Sequence, residues 1–119
     1  MSRRIQRLNV LFREELAALI STELRDPRLA EIISIVRVDV SPDLENADVY
    51  VSILAEPEEQ VESIKTLDRA APFLRREVLR RVSIRKVPHL KFHLDRTIEE
   101  AAHVLDLMKQ VEKLPKAAD

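Results

Sequence analysis

Not one glycine occurs among the 119 residues of this chain, so every tight turn must be made by residues that carry a Cβ. Whole classes of nucleotide and catalytic site fall away with it. A P-loop, a dinucleotide-binding fingerprint and a nucleophile elbow each require glycine, for close backbone approach or for positive φ. What the chain offers for turns is Ser41-Pro42-Asp43 with Asn46, residues whose side chains bond to nearby backbone groups.

Those turn residues separate two stretches of strand character. Ile32 to Val40 is rich in β-branched residues, with Val36, Val38 and Val40 on one face and Arg37 and Asp39 on the other, the alternation of a half-buried strand. Ala47 to Ala55 repeats it, with Val49, Val51 and Ile53 inward and Asp48, Tyr50 and Ser52 outward. The pair predicts a hairpin. Ahead of it, Ser2 is placed to cap a long amphipathic helix whose apolar residues Ile5, Leu8, Leu11, Phe12, Leu16, Leu19 and Ile20 recur at threes and fours. Asp26-Pro27 is expected to stop that helix, because the residue before a proline is pushed out of the α region. Arg3, Arg4, Arg7 and Arg13 load its start, where the helix dipole disfavours cations; they serve either a partner or solubility.

The rest of the chain is organised around Ser63 to Asp95. On one straight helix Ile64, Leu67, Ala71, Leu74, Val78 and Val82 share a side and Phe73 falls nearly opposite. Pro72 predicts a break or bend there, since its ring clashes with the preceding turn and it has no N–H to donate. A helix, a kink at Ala70-Ala71-Pro72 and a second, very basic helix are therefore expected. Val87-Pro88 then leads into a third strand, with Leu90, Phe92 and Leu94 inward and Lys91, His93 and Asp95 outward. A crossover of this length suits two parallel strands. Glu56-Pro57-Glu58-Glu59 puts carboxylates at the start of the crossover helix, where its dipole favours them.

Thr97 and Glu100 have capping-box spacing, predicting a last helix from about Ile98 to Lys113. Its apolar residues, including Val104, Leu105, Leu107, Met108, Val111 and Leu114, spread over more than one face, so part of it is expected to meet something beyond its own core. Residues 115–119 read as a frayed tail. The sum is one α+β domain over residues 1–114, with helices on one face of a three-stranded sheet.

Hydrophobic residues make up 45% of the chain and charged residues 34%, an ordinary globular balance. There is no cysteine, hence no disulfide and no thiolate chemistry. Met1 to Asn9 is polar where a signal peptide needs an apolar core, and no run of about 18 apolar residues appears; the expected location is the cytoplasm, with no membrane partner. Catalysis finds little support. His89 and His93 lie on one strand face about 13 Å apart, too far to share a metal, and no serine stands in a recognisable triad pattern. Neither an enzymatic activity nor a cofactor or metal is expected.

Net charge is −1, so any case for nucleic acid rests on where charges sit. Between Arg76 and Lys86 stand five cations, Arg76, Arg80, Arg81, Arg85 and Lys86, against one acid, Glu77. Arginine forks match phosphate oxygens, and each phosphate neutralised releases counterions, so such a patch favours structured RNA without reading its sequence. Arg3, Arg4 and Arg7 are candidates for a second contact. Stacking platforms are few, with Tyr50 and three phenylalanines that read as core.

The order helix, strand, strand, helix–kink–helix, strand, helix resembles the prokaryotic, type II form of KH domain. Four segments are similar to the ribosome-binding factor A family: Asp26-Pro27-Arg28-Leu29, Val38 to Val51, Arg69 to Arg76, and Val87 to Asp95. They span most of the chain in the family's order. KH domains grip the nucleic-acid backbone with a GxxG loop; the family keeps an alanine-x-glycine kink there, and this chain has Ala70-Ala71-Pro72 instead. The resemblance implies a monomeric, non-enzymatic factor that binds the 30S small ribosomal subunit during late maturation, near 16S rRNA whose ends are still being processed. The competing reading is a protein-interaction adapter whose final helix and acidic Glu56–Glu62 segment dock a protein, with no direct RNA contact.

Overall fold

The computed structural model describes residues 2–113. Six elements follow in order: α1 (Arg3–Thr22), β1 (Ile32–Val40), β2 (Asn46–Leu54), α2 (Pro57–Arg81), β3 (His89–Leu94) and α3 (Thr97–Lys113). The strands form one sheet in the order β1-β2-β3, with β1 antiparallel to β2 and β2 parallel to β3. The hairpin and the parallel crossover are both as expected. The tail expected over 115–119 lies outside the described residues, as does Leu114.

The core lies between one sheet face and the apolar stripes of α1 and α2. Phe12, Leu16 and Leu19 from α1 meet Leu67, Leu74 and Val78 from α2 over Val38, Val49, Val51, Ile53 and Phe92, all nearly or wholly inaccessible. Burying side chains of this size stabilises by about 1.5–3 kcal/mol each before entropy is charged. Both outer strands have backbone N–H groups to satisfy, and on each strand a helix side chain takes up one of them. Val40 N–H donates to Asn9 Oδ1 on α1 at 2.9 Å, and Phe92 N–H to Asp68 Oδ1 on α2 at 3.0 Å. Each bond occupies one edge N–H that a further strand would otherwise pair with.

Four local expectations are corrected. Register along β1 shifts between Ile35 and Arg37, because Ile35 pairs with Val51 while Arg37 pairs with Tyr50. Val36 is the extra residue of this bulge and is 37% exposed rather than sharing the inner face with Val38 and Val40. A bulge resets the two-residue alternation, so Ile33 and Ile35 point inward before it and Val38 and Val40 after it.

Secondly, α1 ends at Thr22, ahead of Asp26-Pro27. The hydroxyls of Ser21 and Thr22 both donate to the Ala18 carbonyl, at 3.1 and 2.7 Å, the local bonding by which such residues compete with helix continuation. At the other end Ser2 does cap the helix, its Oγ accepting from Ile5 N–H at 3.2 Å.

Thirdly, Pro72 does not divide the crossover into two helices. It sits inside α2, a single run of 25 residues. Ala70 and Ala71 are helical with it, and Phe73 reaches the core's margin half-buried. Loss of one hydrogen-bond donor is tolerated because both flanks are anchored, by Leu67 and Ala71 before Pro72 and by Leu74 and Val78 after it.

Lastly, α3 starts without the Thr97 capping box. Thr97 N–H donates to Asp95 Oδ1 at 2.8 Å and Glu100 N–H to the Arg96 carbonyl at 2.8 Å. The bonds from Thr97, helped by Arg37, hold the Asp95 carboxyl below its ordinary pKa. No residue of α3 is buried, so the layer over the sheet is made by α1 and α2. Buried Gln60 ties the start of α3 to the body, its Nε2 donating to the Ile53 carbonyl at 3.0 Å and to Glu99 Oε1 at 2.9 Å.

Candidate nucleic-acid interface

Burial of Leu67, Ala71, Leu74 and Val78 fixes which way α2 faces, and leaves Arg69, Arg76 and Arg80 directed away from the core. Arg69 is occupied locally, by Glu62 at 3.4 Å and Thr66 Oγ1 at 3.2 Å. The helix ends at Arg81 and is capped by Val82, whose backbone is extended (φ −123°, ψ 150°) while its N–H still bonds the Val78 carbonyl. Beyond it the connector Ser83–Pro88 turns back along α2. Arg75 holds it there, donating from Nε to the Pro88 carbonyl at 3.1 Å and from its terminal nitrogen to the Val87 carbonyl at 2.9 Å.

This clamp positions Arg85 and Lys86 as a ridge between two clefts. On one side, a cleft of about 290 Å³ is lined by Pro72, Arg76 and Leu79 together with Arg85 and Lys86. On the other, a cleft of about 470 Å³ reaches Arg4 and Leu8 of α1 and Leu44 and Glu45 of the β1–β2 turn. Three sequence segments therefore meet at one end of the sheet. The parallel register explains why: Asn46 opens β2 opposite His89, which opens β3, so the residues preceding each strand are neighbours. His89 N–H donates to the Glu45 carbonyl at 2.9 Å, and Lys86 Nζ bonds both Glu45 carboxylate oxygens, at 2.7 and 2.6 Å.

The expected cations thus divide. Arg76, Arg85, Lys86 and Arg4 converge on the two clefts. Arg80 and Arg81 lie outside both and have acidic neighbours, Arg80 with Glu77 at 3.1 Å and Arg81 with Glu23 at 3.6 Å. Arg3 and Arg7 border a separate shallow groove on α1 with Gln6 and Val10. Among the described residues Arg76, Arg85, Arg3, Arg4 and Arg7 form no ion pair. Exposed pairs such as Arg80–Glu77 hold their partners by no more than about 1 kcal/mol, so those cations remain available to phosphate. Of the kink residues, Pro72 is exposed and lines the smaller cleft, while Ala70 and Ala71 turn towards the core.

Sequence reasoning missed Leu44 and Glu45. The signal was present in the expected parallel crossover, which brings the turn before β2 beside the loop before β3. Leu44 holds φ 63°, the left-handed region that glycine would occupy without cost. The turn sustains it with Ser41 Oγ donating to Asp43 Oδ1 at 2.6 Å, Glu45 N–H donating to the same oxygen at 3.0 Å, and Leu44 N–H to the Ser41 carbonyl at 2.9 Å. The first two bonds hold the Asp43 carboxyl below its ordinary pKa.

The sheet's other face carries a second cluster. Tyr50 pairs in register with Arg37 and with His93; its ring stacks on His93 with centroids 5.0 Å apart, and the Arg37 guanidinium lies 3.9 Å above it. His93 Nε2 is 2.8 Å from Asp48 Oδ1 and Arg37 is 3.1 Å from Asp39, so this row is internally paired. His89 and His93 do not come together, and among the described residues no three histidine, aspartate or glutamate side chains are grouped to hold a metal ion. No described helix is long and apolar enough to cross a membrane.

The same chain pattern recurs in known proteins. The sequence model of the family described as Ribosome-binding factor A matches residues 4–108. A ribosome-binding factor A of Acetivibrio thermocellus is 42% identical over 107 residues, 90% of this chain and 87% of that protein. One from Thermomicrobium roseum is 44% identical over 112 residues, 94% of this chain and 86% of that protein. In three dimensions, the crystal structure of ribosome-binding factor A from Thermus thermophilus superposes with a TM-score of 0.69 at 31% identity, over 78% of this chain and 97% of that one. The Thermus thermophilus coordinates fitted into a cryo-EM map of a 30S–RbfA complex give a TM-score of 0.59 at 28% identity, over 81% of this chain and 96% of that one. By sequence match, by element order and by superposition, this chain belongs to the ribosome-binding factor A family.

Proposed function

We propose that this protein is a non-enzymatic assembly factor of the small ribosomal subunit, binding the 30S particle through 16S rRNA during late maturation, while the rRNA ends are still being processed. The observation that carries the reading is the ridge of Arg85 and Lys86 flanked by Arg76 on one side and Arg4 on the other. Arg76, Arg85 and Arg4 are free of ion pairs among the described residues, and the ridge stands on a connector that Arg75 fastens to α2. Such a surface recognises the spacing of phosphates, not bases. Arg80 and Arg81 would extend it along α2, and Arg3 and Arg7 along α1. The related Thermus thermophilus protein fitted into a 30S complex supports the choice of particle.

Co-sedimentation tests it: the purified protein with isolated small subunits and with complete ribosomes, at about 50 and about 200 mM salt, beside an Arg76→Glu, Arg85→Glu variant. Contacts to about four phosphates lose on the order of a hundredfold in affinity over that range. Salt-sensitive binding to free small subunits that the variant abolishes is the expected result. Binding by the variant equal to wild type would move the contact elsewhere.

The adapter reading has one observation in its favour. Ile98, Val104, Leu105, Met108 and Val111 of α3 are each more than half exposed. A contact made by that face alone would respond little to salt.

A further inference from the structure

The larger cleft is more than a gap between cations. Its floor is apolar: Phe12 is 1% exposed, and half-buried Leu8, Leu44 and Ile84 stand around it. Its rim is cationic, with Arg4 on α1 facing Arg85 and Lys86 on the connector. Lys86 is matched by Glu45 across the edge at 2.6 Å, and Asp43 is engaged by Ser41 and the Glu45 N–H. The groups left without an ion-pair partner among the described residues are the guanidiniums of Arg4 on α1 and Arg85 on the connector, and the Asp43 carboxylate, whose hydrogen bonds come from neutral donors. About 470 Å³ falls within the roughly 300–1,000 Å³ of clefts that enclose small ligands. Leu44, held at φ 63°, forms part of the lip, a place where backbone strain commonly accompanies ligand contact.

An apolar floor between two uncommitted guanidiniums has the chemistry of one unpaired nucleotide: a flat base against the half-buried Leu8, Leu44 and Ile84, with Phe12 closing the floor beneath them, and a phosphate on each flank. We propose that this cleft receives a single extruded base of RNA, Arg4 and Arg85 holding the phosphates either side of it. The inference rests on the RNA-binding reading above and adds to it a preference for an unpaired nucleotide, which phosphate contacts alone cannot produce. A hydrophobic side chain of a protein would satisfy the floor but leave both guanidiniums without counter-charge, so RNA is the occupant the charges favour.

The test compares the full-length protein's affinity for three RNA hairpins: fully paired, with one bulged adenosine, and with the same bulge made abasic. The adenosine bulge should bind about tenfold tighter than either other hairpin, equivalent to about 1.4 kcal/mol. Ser83→Trp, which fills the cleft from its exposed connector without changing charge, should bring the ratio to one while leaving affinity for the paired hairpin unchanged. That unchanged affinity also reports that the variant is folded. Arg4→Ala, at an exposed position in the first turn of α1, should lower the ratio as well. Equal affinity for the adenosine and abasic bulges, or a ratio that survives Ser83→Trp, overturns the pocket. Equal, salt-sensitive binding of all three hairpins removes the pocket and leaves the basic-surface reading standing, whereas no salt-sensitive binding to any of them removes both. Release of the Ser83→Trp variant from small subunits with its hairpin ratio intact would assign the cleft to a protein side chain and likewise overturn the proposal.

Discussion

Two adjacent arginines should behave in opposite ways. Arg75 is half-buried and donates to the carbonyls of Val87 and Pro88 at 2.9 and 3.1 Å; both of those residues are buried. Arg76 is exposed and has no bonded partner among the described residues. A hydrogen bond to a charged donor contributes about 1.5–3 kcal/mol, and Arg75→Ala removes two and strands two carbonyls. Because the side chain is only half-buried, water recovers part of this, and a net loss of about 2 kcal/mol is expected. For a chain of this length one kcal/mol moves the midpoint by about 4 °C, so Arg75→Ala should melt about 8 °C below wild type. Arg76→Ala, on an exposed helix face, should stay within about 0.5 kcal/mol of wild type. Thermal unfolding followed by circular dichroism, with urea titration as a second measure, reads both. RNA titration across salt reads the converse: Arg76→Ala should reduce the salt slope by about 1. Arg75→Ala melting with wild type, or Arg76→Ala falling as far as Arg75→Ala, would refute the division of labour drawn between them.

Three further outcomes are expected. Pro72→Ala should stabilise the protein by about 1–2 kcal/mol in urea titration, since it returns a donor to the Asp68 carbonyl inside a continuous helix (about 3 kcal/mol at most) while loosening the unfolded chain by up to about 1 kcal/mol; a destabilised variant would mean that the core around Phe73 requires the proline's geometry. Ser63→Ala should cost about 1–3 kcal/mol, because the fully buried Ser63 Oγ accepts the Ala30 N–H at 2.9 Å and its loss leaves that donor unpaired; unchanged urea stability would show the loop is not held there. Hydrogen bonds from Arg28 depress the Asp26 carboxyl from 3.8 to about 2, and a depressed carboxylate stabilises above its unfolded pKa. The melting difference between wild type and Asp26→Asn should therefore be constant above about pH 5 and be lost progressively as pH falls through 2 towards 1; a difference undiminished at pH 2 would exclude the ion pair as its source.

Much of this architecture was legible because it is periodic. The stripe Phe12, Leu16, Leu19 and Ile20 marks α1, the alternation Val49, Val51, Ile53 marks β2, and Leu90, Phe92, Leu94 marks β3, each by a repeat that only one kind of element can bury. The length of the crossover between β2 and β3 was enough to expect them parallel. The candidate site was legible as a composition, five cations around one acid between Arg76 and Lys86, but not as a shape. Arg75 and Arg76 are the same residue type side by side, and nothing local says that one clamps the connector while the other faces solvent. Likewise nothing local says that Arg80 and Arg81 have Glu77 and Glu23 at 3.1 and 3.6 Å while Arg85 has no ion pair among the described residues.

What the sequence by itself determined is therefore what short-range physics can settle: which segments are helix or strand, which face each one buries, and that glycine-dependent chemistry is absent. Tertiary structure decided the rest. Packing on both sides of Pro72 kept α2 whole against the local preference for a break, and the bulge at Val36 reset a strand face that simple alternation assigned the other way. The meeting of Arg4, Glu45 and Lys86 depends on the register of parallel strands, a contact between residues about 40 apart in sequence for Glu45 and Lys86. Local pattern carries no information on such distances, because they are fixed only when the sheet closes over its core.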